Sequence, residues 1–203
     1  MVDPRRVAIF CEDRHHEAFV TAMVRRVARE EALIVSATTI SGRGGHARAL
    51  SELHAFQRAW KAFRAPAPAP DLLIVVIDAN CAGWAQARAA CGAQVQAGLF
   101  PHVVLACPDP HIERWYMADS EGFRQVVGVP APTDPGTCEP DLYKQLLGQA
   151  LATAGQYVAT GPDELAPDLV EAMHLERAGR AQASLGAFLA DLRAALRRMV
   201  GGA

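Results

Sequence analysis

Acidic and amide side chains follow several apolar segments of the chain, and their types suit metal chemistry. They are Glu12, Asp78 with Asn80 two residues on, and Glu113. Carboxylates gathered without matching cations repel one another, and a bound divalent cation or a raised pKa is the usual resolution. Carboxylate and amide oxygens suit a hard ion such as Mg²⁺, which can activate water and offset charge on a phosphate oxygen.

These side chains would meet if the apolar segments form one parallel sheet. Strands are predicted at 6–11, 33–40, 71–78 and 101–108, alternating with helices at 18–29, 47–64 and 83–97. The strands lack polar alternation, as buried parallel strands do. Ligands of open parallel sheets bind beyond the carboxyl ends of the strands. The pattern therefore predicts an α/β core with an open, mostly parallel sheet and a cation site at its rim.

The character of the chain changes after the fourth strand. Helices are predicted near 110–127, 140–154, 163–178 and 184–200, around a loop at 129–140 that is rich in Pro and Gly. We expect a core over 1–128 and a helical C-terminal cap over 129–203, packed together as one unit. The apolar stripe of the last helix favours packing on the domain's own sheet over binding a partner.

Composition excludes several classes of protein. The 203 residues are 51% hydrophobic and 21% charged, which is typical of a globular fold rather than a disordered chain. No apolar run approaches the roughly 20 residues that span a bilayer, and the N-terminus does not resemble a secretory signal. We therefore expect a cytoplasmic protein. Nucleophile-elbow, GxGxxG and HExxH motifs are missing from the sequence.

The five cysteines include no C-x-x-C pair. Neither a zinc site nor a disulfide framework is expected from such spacing. Cys11, Cys81 and Cys107 lie near the ends of apolar segments, where small buried thiols are common.

Each candidate acid also has a purely structural interpretation. Glu12 or Asp13 could cap the helix that begins near His15, and Asp78 could cap the helix near Gly83. The joint placement of the acids after three strands favours the metal site.

The first third of the chain is the more basic part. Residues 1–64 hold 11 Lys and Arg against 7 Asp and Glu, whereas residues 65–203 hold 9 against 15. Arg43, His46 and Arg48 in and after a glycine-rich loop are the predicted phosphate contacts if nucleic acid binds. A plain connecting loop is the more common role for such a segment, since it lacks the Lys-Ser/Thr of a P-loop.

Three histidines and an aromatic pair have two interpretations each. His15 and His16, beside Glu12, and His111, near Glu113, could relay protons, but exposed polar residues at a helix start are the more common case. Trp115 and Tyr116 could stack on a base, although helical spacing favours a place in the core.

These motifs resemble the Toprim domain, which occurs in topoisomerases, bacterial primases and the OLD nucleases. That family places a Glu after its first strand and Asp-x-Asp after its third, as Glu12 and Asp78-Ala79-Asn80 nearly do here. The segment PHIERWYMAD at 110–119 resembles the P-x-I-E-x-W-x-x-A-D segment of small Toprim-like proteins, several of them in anti-phage systems. The segment CEDRHHEAFV at 11–20 resembles their first motif. The resemblance spans roughly residues 6–125.

The resemblance implies a Mg²⁺- or Mn²⁺-dependent hydrolase of nucleic-acid phosphodiesters. Glu12 would be a metal ligand or general acid/base, Asp78 the principal ligand, and Glu113 would complete the site. Asn80 stands where the family has a second Asp, and Asp13 stands where it has Gly. The expected partners are DNA or RNA, an ATPase protein in phage defence, and further copies of the chain.

Two other functions stay open because of these departures from the family pattern. A catalytically degenerate Toprim fold would act as a binding or regulatory subunit of a complex. A phosphate-handling enzyme with a small substrate is compatible with the net charge of -2.

Overall fold

The computed structural model describes residues 3–41, 46–63, 69–139, 141–156 and 161–201. Its strands are β1 (Arg5–Cys11), β2 (Val35–Ser41), β3 (Leu72–Val76) and β4 (His102–Ala106). They form one parallel sheet in the order β2-β1-β3-β4, which confirms the predicted α/β class. Cys11 pairs with both Ser41 and Val76, and Val76 pairs with Ala106, so the carboxyl ends of the strands are level at one rim.

Helices cover both faces of the sheet. They are α1 (Arg14–Glu30), α2 (His46–Phe63) and α3 (Trp84–Ala93). Val7 and Ile9 of β1 pack in a core with α1, whereas Phe10 packs with α2 and α3 on the opposite face. Alternate residues of each strand point to opposite faces, so both faces of the central strands are apolar. This explains the unbroken apolar runs in the sequence.

Further helices follow the sheet. They are α4 (Glu113–Tyr116), α5 (Ser120–Val127), α6 (Leu142–Thr153), a 3₁₀ turn (Pro162–Leu165), α7 (Ala166–Ala172), α8 (Leu175–Ala181) and α9 (Ala183–Gly201). The predicted helix 110–127 is therefore two helices, and 163–178 divides into the turn, α7 and α8. His174 lies at the break between α7 and α8 and caps α8, since its ring accepts a hydrogen bond from the backbone of Arg177. No described helix is long and apolar enough to cross a membrane.

The last helix packs against the sheet, as its stripe predicted. It contacts β4 and α1, and Leu185, Phe188 and Leu192 are buried there. The Phe188 ring stacks on Trp115 at a centroid distance of 5.5 Å. Trp115 and Tyr116 are both buried, so the core interpretation of this pair is correct and base stacking is not.

The expectation about disulfides is wrong. Cys81 is exposed and forms a disulfide with Cys138, 57 residues further along the chain. The fold brings the loop after α5 beside the loop after β3, and no local spacing signals that meeting. Cys11 and Cys107 are buried free thiols, as predicted.

Candidate functional site at the switch between β1 and β3

The sheet has a crevice where its connections change direction. The chain leaves β1 into α1 on one face and leaves β3 towards α3 on the other. In open α/β sheets such a switch point opens a cleft beyond the strand ends, where ligands bind. Glu12 follows β1 directly and Asp78 follows β3 by two residues, so both lie at this cleft.

Glu12 and Asp78 meet in the cleft, as the sequence predicted. The Glu12 Oε2 atom lies 3.4 Å from the backbone nitrogen of Asp78, which donates to it. Burial and the neighbouring charge of Asp78 raise the pKa of Glu12. A carboxyl with a raised pKa exchanges protons more readily near neutral pH, which suits acid–base work.

Two histidines hold the carboxylate of Asp78. The Nε2 atom of His16 lies 2.8 Å from Oδ1, and the Nδ1 atom of His111 lies 3.2 Å from Oδ2. Although burial alone would raise the pKa of Asp78, the charge of His16 and the hydrogen bond to His111 hold that pKa below its usual range. Asp78 is therefore a buried but ionised carboxylate.

His16 is fully buried, so the interpretation of this residue as an exposed polar group is wrong. Asp13 is the N-cap of α1 and accepts from the backbone nitrogen of His16 at 3.1 Å. Its Oδ1 also lies 2.7 Å from Nδ1 of the His16 ring. The cap directs the ring towards the sheet, and the spacing Asp-x-x-His at the helix start is the signal that could have indicated it. Despite burial, the charge of Asp78 raises the pKa of His16 well above its usual value.

Glu113 reaches the same rim through a second histidine. Its Oε1 lies 3.1 Å from Nδ1 of His15, and its Oε2 is buried without a hydrogen-bond partner in the described part of the chain. The hydrogen bond to Glu113 raises the pKa of His15. The backbone carbonyl of His15 accepts from the Tyr116 hydroxyl at 2.9 Å, which ties α4 to the start of α1. His15 is thus a partly exposed partner of Glu113 rather than an unattached surface residue.

The capping interpretations of the acidic residues have different outcomes. Asp13 caps α1, as one interpretation predicted. Asp78 does not cap α3, because Asp109 accepts from the backbone nitrogen of Trp84 at 3.0 Å instead. Asn80 lies beside Asp78 and donates from Nδ2 to the Asp78 carbonyl at 3.3 Å.

The chain matches no protein-family model, no curated protein and no solved structure.

The predicted phosphate contacts differ in their relation to the cleft. Arg43 lies outside the described residues. His46 is exposed at the start of α2, near enough for its charge to act on Glu12. Arg48 points along α2 and forms an ion pair with Glu52 at 2.8 Å, so it is engaged away from the cleft.

Lys144 of α6 is a cation near the rim that the sequence did not indicate. Although burial opposes it, the charges of Glu113 and Asp141 raise the pKa of Lys144. Half of its side chain is exposed, and Nζ lies 3.5 Å from Asp141. An exposed cation near an acidic cleft suits contact with a phosphate.

The cleft fits a hard cation held by few protein ligands. No group of three or more His, Cys, Asp or Glu side chains over the described ranges is placed to hold a metal ion, so a cation here would have at most two such ligands. Mg²⁺ usually keeps several waters and takes one or two carboxylates together with substrate phosphates. Each carboxylate oxygen has two lone pairs, so Asp78 can contact a cation in addition to its two histidines. Glu12 adds a second carboxylate at the same rim, beside the backbone of Asp78.

Proposed function

We propose that the protein is a Toprim-like, Mg²⁺-dependent phosphodiester hydrolase that acts on nucleic acid. One observation carries the proposal: Glu12 and Asp78, 66 residues apart, meet at the switch point of the sheet. An acid pair at this place is what a cation-dependent phosphate site needs.

The convergence of three separate sequence motifs supports this proposal. Glu12 comes from the first motif, Asp78 from the second and Glu113 from the third. Histidines of the first motif contact both Asp78 and Glu113, and Glu12 accepts a hydrogen bond from the backbone of Asp78. Acids from three distant segments that converge in this way indicate a shared site more specifically than any one motif does. The resemblance further suggests an ATPase partner in a phage-defence system.

Each residue of the cleft has a role in the proposed reaction. Glu12 and Asp78 would hold the cation, with the Asn80 amide oxygen beside them. Glu113 would orient the site through its hydrogen bond to His15. Bound Mg²⁺ supplies Lewis-acid stabilisation of the phosphate charge and lowers the pKa of nearby water. His16 keeps Asp78 ionised and oriented, which makes it a positioning residue.

Proton transfer is assigned to Glu12 and His111. Water attacks phosphorus while the bond to the leaving oxygen breaks. Glu12 accepts the proton of the attacking water, and protonated His111 donates a proton to the leaving oxygen. The hydrogen bond to Asp78 raises the pKa of His111, which favours the protonated form that this role requires.

A cleavage assay tests the proposal. Labelled single- and double-stranded DNA and RNA are incubated with wild type, Glu12→Gln and Asp78→Asn in Mg²⁺, in Mn²⁺ and in a chelator. We expect metal-dependent cleavage by wild type and a loss of at least about 100-fold in both variants. Glu52→Gln, half-buried on α2 and paired with Arg48 rather than with the acids of the cleft, is the matched control and should keep wild-type activity.

The proposal falls if wild type cleaves no polymer with either metal, or if both variants keep full activity while circular dichroism shows them folded.

A second function, a non-catalytic nucleic-acid-binding subunit, is favoured by one observation. Both carboxylate oxygens of Asp78 already contact histidines, and Asn80 adds no charge to the site. Binding of a labelled oligonucleotide without cleavage, unchanged in Asp78→Asn, would support this function over the hydrolase.

A further inference from the structure

A cavity of about 340 Å³ opens beside the candidate site. Asp78 and Asn80 line it, so the cavity is continuous with the cleft that holds the acid pair. His46 also lines the cavity, and its charge reaches Glu12. A ligand with a phosphate at the acid pair would therefore have its neighbouring group at the mouth of this cavity.

Most of the cavity wall is apolar. The apolar lining residues come from α2, the loop after β3 and α3, and include Leu50, Ile77, Ala82, Ala87 and Ala90. These five aliphatic side chains are small or moderate in size, and three of them are alanine. The volume and the apolar lining are in the range of small-molecule sites.

Polar groups line the cavity beside these apolar walls. Gln86 and Gln94 are among its lining residues, and neither side chain hydrogen-bonds to another described residue. Each carboxamide can both donate and accept. No Lys or Arg among the described residues lines the cavity, which argues against a second phosphate there.

We propose that this cavity binds a nucleobase, that of the nucleotide whose phosphate lies at Glu12 and Asp78. The inference rests on the proposed function and names its substrate more closely. A base has flat, weakly polar faces that suit the alanine-rich wall, and an edge of donors and acceptors that suits Gln86 and Gln94. The cavity would then orient the scissile phosphate by holding the base beside it.

Equilibrium binding tests the cavity without requiring turnover. Isothermal titration compares a nucleoside monophosphate with ribose 5-phosphate, which lacks the base, in the presence of Mg²⁺. Wild type should bind the nucleotide at least about tenfold more tightly than ribose 5-phosphate, because contacts between the base and the cavity add to the binding free energy. Ala90→Phe fills the cavity from an exposed position and should abolish that preference.

Ala89→Phe is the matched control, because Ala89 is exposed on the same helix and does not line the cavity. It should keep the wild-type preference for the nucleotide. Equal affinity of wild type for the two ligands, or an unchanged preference in Ala90→Phe, would overturn the nucleobase site.

The failures of the two proposals are distinguishable. If the base preference is present and lost in Ala90→Phe but no polymer is cleaved, the cavity proposal holds and the hydrolase proposal falls. If polymers are cleaved through Glu12 and Asp78 but an abasic oligonucleotide is cleaved as fast as a normal one, the hydrolase holds and the nucleobase site falls.

Discussion

The Nε2 atom of His16 lies 2.8 Å from Oδ1 of Asp78, and the histidine side chain has no exposed surface. This contact joins the start of α1 to the loop after β3 across the switch point of the sheet. Because Asp13 holds the other ring nitrogen, the orientation of the imidazole is fixed from both sides. The same contact keeps Asp78 ionised and closes one side of the candidate site.

Loss of His16 should destabilise the fold strongly. His16→Leu leaves the buried Asp78 carboxylate with one partner fewer, and breaking a buried pair typically costs about 3–5 kcal/mol. Urea denaturation at neutral pH measures the change in the free energy of unfolding. His54→Leu, half-buried on α2, is the control and should lie within about 1 kcal/mol of wild type.

The pairing itself is tested by combining His16→Leu with Asp78→Asn. We expect the double variant to be more stable than the sum of the single effects predicts, because the second change removes the unpaired charge. Additive effects would contradict a direct interaction between these side chains.

Two glycines allow α8 and α9 to approach closely. A Cβ at Gly186 would lie 2.6 Å from the carbonyl oxygen of Gly179, a backbone atom that cannot move aside alone. Gly186→Ala should therefore cost about 1–3 kcal/mol in thermal or urea unfolding. Gly148→Ala on α6 meets nothing within 4 Å and should stabilise the protein by up to about 1 kcal/mol. Equal effects of the two changes would argue against the close helix contact.

The Asp134 carboxylate should make stability depend on pH. Although partial burial opposes ionisation, hydrogen bonds from the backbone of Gly136 and the side chain of Arg114 lower the pKa of Asp134 to about 2. Since the folded value lies below the unfolded value of about 4, this stabilisation is present above pH 4 and is lost as the pH falls through about 2. Solvent screening limits this contribution to the free energy of unfolding to about 1 kcal/mol.

Thermal melts of wild type and Asp134→Asn between pH 7 and pH 2 measure this effect. The difference in Tm should be largest at neutral pH and shrink below pH 4. A difference in Tm that stays constant down to pH 2 would refute the assigned role of Asp134.

The disulfide between Cys81 and Cys138 should stabilise the chain only under oxidising conditions. Cys138→Ser removes the cross-link, and loss of a disulfide typically costs about 2–4 kcal/mol of unfolding free energy. Dithiothreitol should bring wild type down to the level of the variant and leave the variant unchanged. A wild type that does not respond to the reductant, with its cysteines accessible to a thiol reagent, would show that the bond does not form.

Much of the sheet and its rim could be predicted from the sequence, because buried parallel strands are apolar throughout and acids after them share one edge. The pairing of Glu12 with Asp78 follows from that rule. The burial of His16 could not be read in this way, since it depends on the cap geometry of Asp13 and on the position of α1 against the sheet. Lys144 and the Cys81–Cys138 bond depend on how the C-terminal helices fold back, which has no local sequence signal.

Anomalous diffraction from crystals soaked in Mn²⁺ tests the cation site most directly, and it is independent of any activity. We expect a single strong peak at coordination distance from carboxylate oxygens of both Glu12 and Asp78, absent in Asp78→Asn crystals. A well-occupied peak elsewhere, or none between these two side chains at millimolar Mn²⁺, would contradict a cation-dependent site at the switch point.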